Sequence, residues 1–352
     1  MNSLRQSAGG LAHCGPGREE WTPHGGAELN VLGIDVGGTK VAVAQVDGVA
    51  VVESVEHPTE LSSSEALLDG IEGAVAEVTA KSGPPDAIGV GVPSQVDHAS
   101  GRVIASVNIP LAGIPLREEL GRRLGAPVVV DNDANVAGLC EALLVPDGPA
   151  RHLVMLTLGT GVGGGIVIDG RVFRGATGLG AELGHITIDA RETDPFGTRA
   201  QPGTLEALCS GTALEGQASR MAAERPGSKL AGAAAGNGGR VTGRQAVALA
   251  GEGDADALEL MDTLGRHLGI GIANVVNAFE PEHVVIGGGL SRAGDLFIDR
   301  ARREAEARAL PALFANVTIS LARGGAEAGV IGAGALAAQE LQPEKTTAER
   351  AI

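Results

Sequence analysis

One pattern occurs twice in this chain and limits its fold more than any other. It is an apolar run, a glycine turn holding a threonine, a second β-like run, a tight turn and a third run. The first copy takes residues 31–35, the stretch Asp35-Val36-Gly37-Gly38-Thr39-Lys40, residues 41–46, Asp47-Gly48 and residues 49–55. The second takes residues 153–158, Gly159-Thr160-Gly161-Val162-Gly163-Gly164-Gly165, residues 166–168, Asp169-Gly170 and then Val172-Phe173. Short apolar runs stopped by such clusters read as strands, and Asp-Gly between two of them reads as a hairpin turn. Each copy is therefore an antiparallel meander, and the recurrence indicates an internal duplication.

Beyond each meander the chain stays α/β in character. After the first, Ser62-Ser63-Ser64-Glu65 offers a capping box, and Leu67, Leu68, Ile71, Val75 and Val78 recur at helical spacing. A buried strand is expected over 87–92, a small hairpin over 96–107 and a helix over 116–124. A strand over 127–130 then delivers Asp131-Asn132-Asp133-Ala134-Asn135, ahead of a helix over 135–144. After the second meander, helices are expected over 206–222 and 254–279, with a mobile Gly/Ala-rich loop over 225–239 between them. A strand over 283–286 runs into Gly287-Gly288-Gly289, and then come a helix over 296–310, a strand over 317–321 and an alanine-rich closing helix over 329–341. Two similar α/β halves facing each other would set the two glycine turns on opposite sides of one cleft.

Composition removes several classes of function. The 352 residues are 43% hydrophobic and 20% charged, a globular balance with room for two cores. Aromatics are 2% with no tyrosine, which argues against a base-stacking surface. The net charge of −16 would repel a nucleic acid or an anionic membrane. Cys14, Cys140 and Cys209 are far apart and form no CxxC pair, so neither a disulfide framework nor a cysteine-rich metal site is suggested. No long apolar run or signal core occurs, and the first 29 residues and the last ten (343–352) read as disordered or frayed. A cytoplasmic protein is expected.

The chemistry-bearing residues admit a bland and a functional reading. Glycines let backbone N–H groups approach an anion and form a nest for phosphate oxygens, with Asp35 able to reach Mg²⁺ through water; the same stretch would also serve as a plain hairpin turn. Asp133 reads as a base at a strand end or as a helix cap. Glu182 and His185 would share a helix face as a surface pair, or face a ligand. Glu206 suits the first turn of a helix, Asn108 a loop, and Gly288-Gly289 an ordinary turn.

Five stretches taken together resemble the nucleotide-binding signature of the hexokinase, actin and heat-shock cognate superfamily: residues 35–40, 128–138, 157–165, 284–291 and 329–335. Within it, Gly180-Ala181-Glu182-Leu183-Gly184-His185 and Gly203-Thr204-Leu205-Glu206-Ala207-Leu208 resemble the ROK group of sugar kinases and related repressors. The resemblance covers residues 30–338. It implies two duplicated ribonuclease H-like domains across a cleft: 30–131 with 329–342, and 132–328. It also implies ATP-dependent phosphorylation of a hexose, glucose first, with Mg²⁺. In that pattern Asp133 stands as the catalytic base. Asn108, Asn132, Glu182, His185 and Glu206 stand as sugar contacts, joined by Asp133 itself. Asp35, Gly37, Gly38, Thr39, Lys40, Thr160 and Gly161 stand as the phosphate side, and Gly288 and Gly289 as the adenine floor. The group's members imply a homodimer or homotetramer.

One departure stands out. The ROK pattern has a cysteine cluster between the histidine and the last glutamate, binding a structural zinc with that histidine. Here residues 194–206 contain no cysteine, so no zinc is expected and the way residues 186–205 are held is open. The competing functions are a kinase for N-acetylglucosamine, N-acetylmannosamine or fructose, a polyphosphate-using glucokinase, and a sugar-responsive repressor. The last is disfavoured because the residues ahead of Val31 are few and rich in Gly and Pro, and the chain is acidic.

Overall fold

A computed structural model describes residues 29–146 and 148–341. The disordered extension expected over 1–29, apart from Leu29, and the frayed tail expected over 343–352 lie outside the described residues. The first meander is β1 (Val31–Val36), β2 (Lys40–Asp47) and β3 (Ala50–Pro58), paired antiparallel. Helix α1 (Ser64–Ser82) comes next, its N-cap Ser63 accepting from the Ala66 N–H at 3.1 Å. Then come β4 (Ala87–Val92), the hairpin β5 (Ser94–Asp97) and β6 (Arg102–Ser106), α2 (Leu116–Leu124), β7 (Val128–Asn132) and α3 (Asp133–Leu143). The sheet runs β3-β2-β1-β4-β7, with β4 parallel to both β1 and β7.

The second half rebuilds this order. Its meander is β8 (Leu153–Leu158), β9 (Val162–Ile168) and the two-residue β10 (Arg171–Val172). Helices α4 (Leu205–Cys209), α5 (Gly211–Glu224), α6 (Lys229–Ala235), α7 (Gly243–Gly251) and α8 (Ala255–Phe279) lead to β11 (His283–Gly287). Helices α9 (Ile298–Glu306) and α10 (Pro311–Phe314), strand β12 (Thr318–Leu321) and helix α11 (Ala328–Glu340) complete the chain. The sheet runs β10-β9-β8-β11-β12, with β11 parallel to β8 and β12. The central strands β1 and β8 also share a burial profile: five buried residues and one half-buried residue in fifth place, Asp35 in one and Thr157 in the other.

Several expectations need correction. The second glycine turn is shorter than its glycine run, because Gly163–Gly165 belong to β9; a methyl group on Gly165 would overlap the carbonyl oxygen of Ala134 on α3. The helix expected over 206–222 breaks at Ser210, whose extended backbone lets its hydroxyl cap α5 through the Ala213 N–H at 3.0 Å. The loop expected over 225–239 contains α6, capped by Ser228 and burying Leu230 and Ala234, where alanine propensity outweighs the nearby glycines. Of the helix expected over 296–310, only α9 is α-helical.

Two helices cross between the halves. α3 leaves the first sheet and packs on the second through Gly165 and Gly138; α11 leaves the second and packs on the first. Close contact there depends on Gly33 and Gly89, where a methyl group would overlap the carbonyl oxygens of Val330 and Ala333. Gly332 of α11 meets the Val136 carbonyl of α3 in the same way. Each half keeps its own apolar core, built on Leu32, Ile34, Leu67, Ile71 and Ile88 in one and Leu156, Leu208, Leu268 and Ile286 in the other. Among the described residues no helix is long and apolar enough to cross a membrane.

Candidate active site

In parallel α/β sheets ligands bind outside the carboxyl ends of the strands. Strands β1, β4 and β7 end along one edge, with Asp35 beside Gly91 and Gly91 beside Asp131 in register. In the other sheet Thr157 lies beside Gly287. The residues singled out from the sequence lie mostly in the turns that leave these two edges.

The two glycine turns have the same hydrogen-bond character. In the first, the Gly37 N–H donates to the Lys40 carbonyl at 2.8 Å, and Thr59 holds the turn from outside through its hydroxyl on the Gly37 carbonyl at 2.7 Å. Among the described residues the N–H groups of Gly38 and Thr39 meet no acceptor. In the second, the Gly159 N–H donates to the Gly161 carbonyl at 2.9 Å, and those of Thr160 and Gly161 meet no acceptor among the described residues. Thr212 donates to the Thr160 carbonyl at 2.8 Å and the Gly211 N–H to that of Gly159 at 2.7 Å, so α5 braces this turn. Two adjacent free N–H groups at the tip of a braced turn form a nest for an anion. Lys40 is placed differently from its neighbours: it opens β2 and pairs with Glu56 at 2.5 Å on the sheet surface. Gly288, at φ 82°, lies against the Leu158 backbone, and Gly289 is open to solvent.

At the end of β7, Asn132 rather than Asp133 caps α3, its side-chain oxygen accepting from Ala134 at 2.9 Å and its amide donating to the Ser94 carbonyl at 3.3 Å. Asp133 is the first helical residue and is half-buried. Burial, and then the neighbouring Asp35 carboxylate, push its pKa up to about 6, opposed by the backbone N–H groups of the turn. Burial also raises Asp35, with Lys40 pulling down and Glu56 pushing up. Two carboxylates that hold their protons more tightly than usual are thus brought together from two strand ends. Asn108 is exposed and lies against Gly38.

Glu182 and His185 stand on a short 3₁₀ turn (Leu183–His185) instead of a helix face, 3.9 Å apart and both exposed. The turn enters through Ala181 at φ 66°, a strained value for alanine, and is clamped on β9 where Gly184 meets the Val162 carbonyl. Glu206, in the first turn of α4, accepts from the Val162 N–H at 2.9 Å and so fastens the second glycine turn. The segment before it is held without cysteines: Ile188 donates to the Gly203 carbonyl at 2.8 Å, and Phe196 enters the second core with the Arg220 guanidinium 4.4 Å from its ring centre. Among the described residues no group of three His, Cys, Asp or Glu side chains is placed to hold a metal.

Two residues of the site carry no role in the sequence reading. Asp131 is buried and accepts from the Asn132 N–H at 2.7 Å, from the Asn135 amide at 2.8 Å and from Arg174 Nε at 2.6 Å. Its position beside Asp133 was a visible signal; Arg174, after a two-residue strand, had none.

The sequence model of the ROK family matches residues 31–340. A glucokinase of Halalkalibacterium halodurans is 34% identical over 315 residues, covering 88% of this chain and 95% of that protein. The crystal structure of a ROK hexokinase from Thermus thermophilus superposes with a TM-score of 0.72 at 33% identity, covering 88% of this chain and 98% of that one. A ROK family glucokinase from Streptomyces griseus, in complex with glucose and AMPPNP, does so at 0.71 and 31% identity, covering 88% and 99%. With the family match spanning almost every described residue and the duplicated sheets in place beneath it, the chain belongs to the ROK family.

Proposed function

We propose that this protein is an ATP-dependent hexose kinase that phosphorylates the primary hydroxyl of glucose to give glucose 6-phosphate. The observation that supports this most is the pair of glycine turns, each with two N–H groups unpaired among the described residues, beside a carboxylate whose pKa is raised to about 6. The glucokinase and hexokinase relatives point to the same acceptor and donor.

In this reading the phosphate chain lies between Gly37, Gly38 and Thr39 on one side and Thr160 and Gly161 on the other, with Gly288 and Gly289 under the adenine. Phosphoryl transfer asks mainly for alignment and charge stabilisation, which braced N–H groups provide. With a pKa of about 6, Asp133 is largely ionised at pH 7 yet basic enough to take the hydroxyl proton as its oxygen attacks the γ-phosphorus. Asn108, Asn132, Glu182, His185 and Glu206 supply the acceptors and donors that a ring of hydroxyls requires. Asp35 fits a magnesium site held through water: its half-buried carboxylate accepts no hydrogen bond among the described residues and lies near a second carboxylate. Mg²⁺ bound there would neutralise phosphate charge. The two lobes are 30–131 with 329–342, and 132–328. The protein is cytoplasmic, works as a homodimer or homotetramer without nucleic acid or membrane, and needs no zinc.

A coupled ADP-release assay over a panel of hexoses, with ATP and polyphosphate as alternative donors, tests this. Turnover of glucose with ATP, abolished in Asp133→Asn, is expected. Absence of turnover with every hexose would overturn the reading.

A further inference from the structure

Arg174 occupies an unusual place, just after β10 of the second sheet and reaching two turns of the site at once. Its backbone carbonyl accepts from the Gly180 N–H at 2.9 Å, anchoring the turn that carries Glu182 and His185. Its Nε donates to Asp131 Oδ2 at 2.6 Å. The other oxygen of Asp131 accepts from the Asn132 N–H and from the Asn135 amide, so this buried carboxylate fixes both ends of the turn holding Asp133. Arg174 Nη2 pairs with Glu340 on α11 at 2.5 Å, and Glu340 in turn lies 3.5 Å from His98. The Asp131 side chain is 4% exposed and that of Arg174 14%, so water screens the pair little.

We propose that Arg174 is a positioning residue for the phosphoryl transfer: through Asp131 it sets the base-bearing turn, and through its carbonyl it ties that turn to the sugar-contacting one. The inference rests on Asp133 being the base. Asp131 itself has both oxygens engaged and is not the base. Without the guanidinium, its carboxylate keeps its turn contacts but loses the cation on its buried side. The Asn132-Asp133 turn then loosens relative to Gly180. A base displaced by a fraction of an ångström still binds substrate but aligns poorly with the attacking hydroxyl. The backbone tie to Gly180 survives any side-chain change, so sugar affinity is preserved while turnover falls.

The test is steady-state kinetics with ATP and the hexose turned over fastest, alongside thermal unfolding. Arg174→Met is expected to lower kcat by about 10- to 100-fold with KM for both substrates within about threefold. Arg174→Lys keeps one donor, and its kcat should fall between that of Arg174→Met and wild type. Glu340→Gln removes the other ion-pair partner and should leave kcat within about twofold, since its loss is one partly exposed pair. The proposal is overturned if Glu340→Gln lowers kcat as much as Arg174→Met does, which would make the cluster a lobe fastener. It is equally overturned if Arg174→Met raises the hexose KM at unchanged kcat. Should Arg174→Met fail to fold, Arg174→Lys decides alone: a lower kcat at constant KM supports the proposal and a wild-type kcat refutes it. If Asp133→Asn keeps full turnover, the underlying functional reading falls; if Asp133→Asn is inactive while Arg174→Met retains kcat, only the positioning role falls.

Discussion

The two halves of the molecule share a scaffold and, in the proposed function, divide the chemistry. Both sheets have the same strand order, both central strands end in a glycine turn, and both turns leave two adjacent N–H groups unpaired among the described residues. Duplication thus explains why each half carries such a turn. It does not explain the acceptor side. The fifth residue of the central strand is Asp35 in one half and Thr157 in the other, and the last strand of the first sheet delivers Asn132 and Asp133, where the second delivers Arg323 and Gly324. In the first half β3 passes almost directly to α1; in the second the chain makes a long excursion after β10 that carries Glu182, His185 and Glu206. In the proposed function, anion binding follows from the repeat, and the sugar chemistry from where the repeats differ.

The largest effect that could break this division is on turnover. Asp133→Asn should lower kcat by about 10²- to 10⁴-fold, the usual worth of a general base, with the fold intact. Thr157→Val, at the end of the central strand of the other half, should cost no more than about tenfold, the worth of one hydrogen bond. Comparable losses in both, measured by the ADP-release assay, would mean that the halves share the chemistry after all.

Packing should show the opposite behaviour, symmetry. Gly33→Ala sets a methyl group into the Val330 carbonyl of α11, and Gly165→Ala sets one into the Ala134 carbonyl of α3. Backbone cannot swing aside as a side chain would, so each should cost about 2–3 kcal/mol in urea unfolding. A cost in only one of them would show that the exchange of helices between sheets holds up one half more than the other.

A smaller, pH-dependent effect tests the asymmetry again. As the proposed base, Asp133 would act only when ionised, so kcat/KM for the sugar should fall as pH drops below about 6, about tenfold per unit once the carboxyl is protonated. Thr157→Val should leave this limb where it is, because the second half has no carboxylate at the equivalent strand position. A limb centred near pH 4, roughly where an unperturbed aspartate titrates, would show that burial and Asp35 do not act on Asp133 in solution.

Much of this was legible because it depends on local pattern. Period-two apolar runs, Asp47-Gly48, and Ser63 ahead of α1 each specify their own structure within a few residues. Where the sequence misled, a distant partner decided. Gly163, Gly164 and Gly165 look like a loop, yet they form a strand whose missing side chains make room for the Ala181 carbonyl beside Gly164 and for the Ala134 carbonyl of α3 beside Gly165. No spacing rule reveals that Glu56 on the next strand pairs with the Lys40 ammonium at the surface. Glu206 was expected at a sugar, and its carboxylate is also on the Val162 N–H of the phosphate turn. Asp131 and Arg174 meet across 43 residues, a pairing no spacing rule reveals.

The smallest test concerns the excursion that makes the halves differ. Residues 186–205 carry no cysteine ligands, and their tip is fixed by Phe196, 5% exposed in the second core, with Arg220 stacked above it and Asp194 3.7 Å from that guanidinium. Half of the Arg220 side chain is in water, so the stacking is worth only about 0.5–1 kcal/mol. Arg220→Ala should lower the unfolding free energy by that amount and raise the hexose KM modestly, because His185 and Glu206 stand at the two ends of the anchored segment. Exhaustive chelation should leave the melting temperature unchanged, as expected where an aromatic anchor does the holding. Metal analysis that finds about one zinc per chain, or a melting temperature that falls on chelation, would mean that a structural metal shares this role.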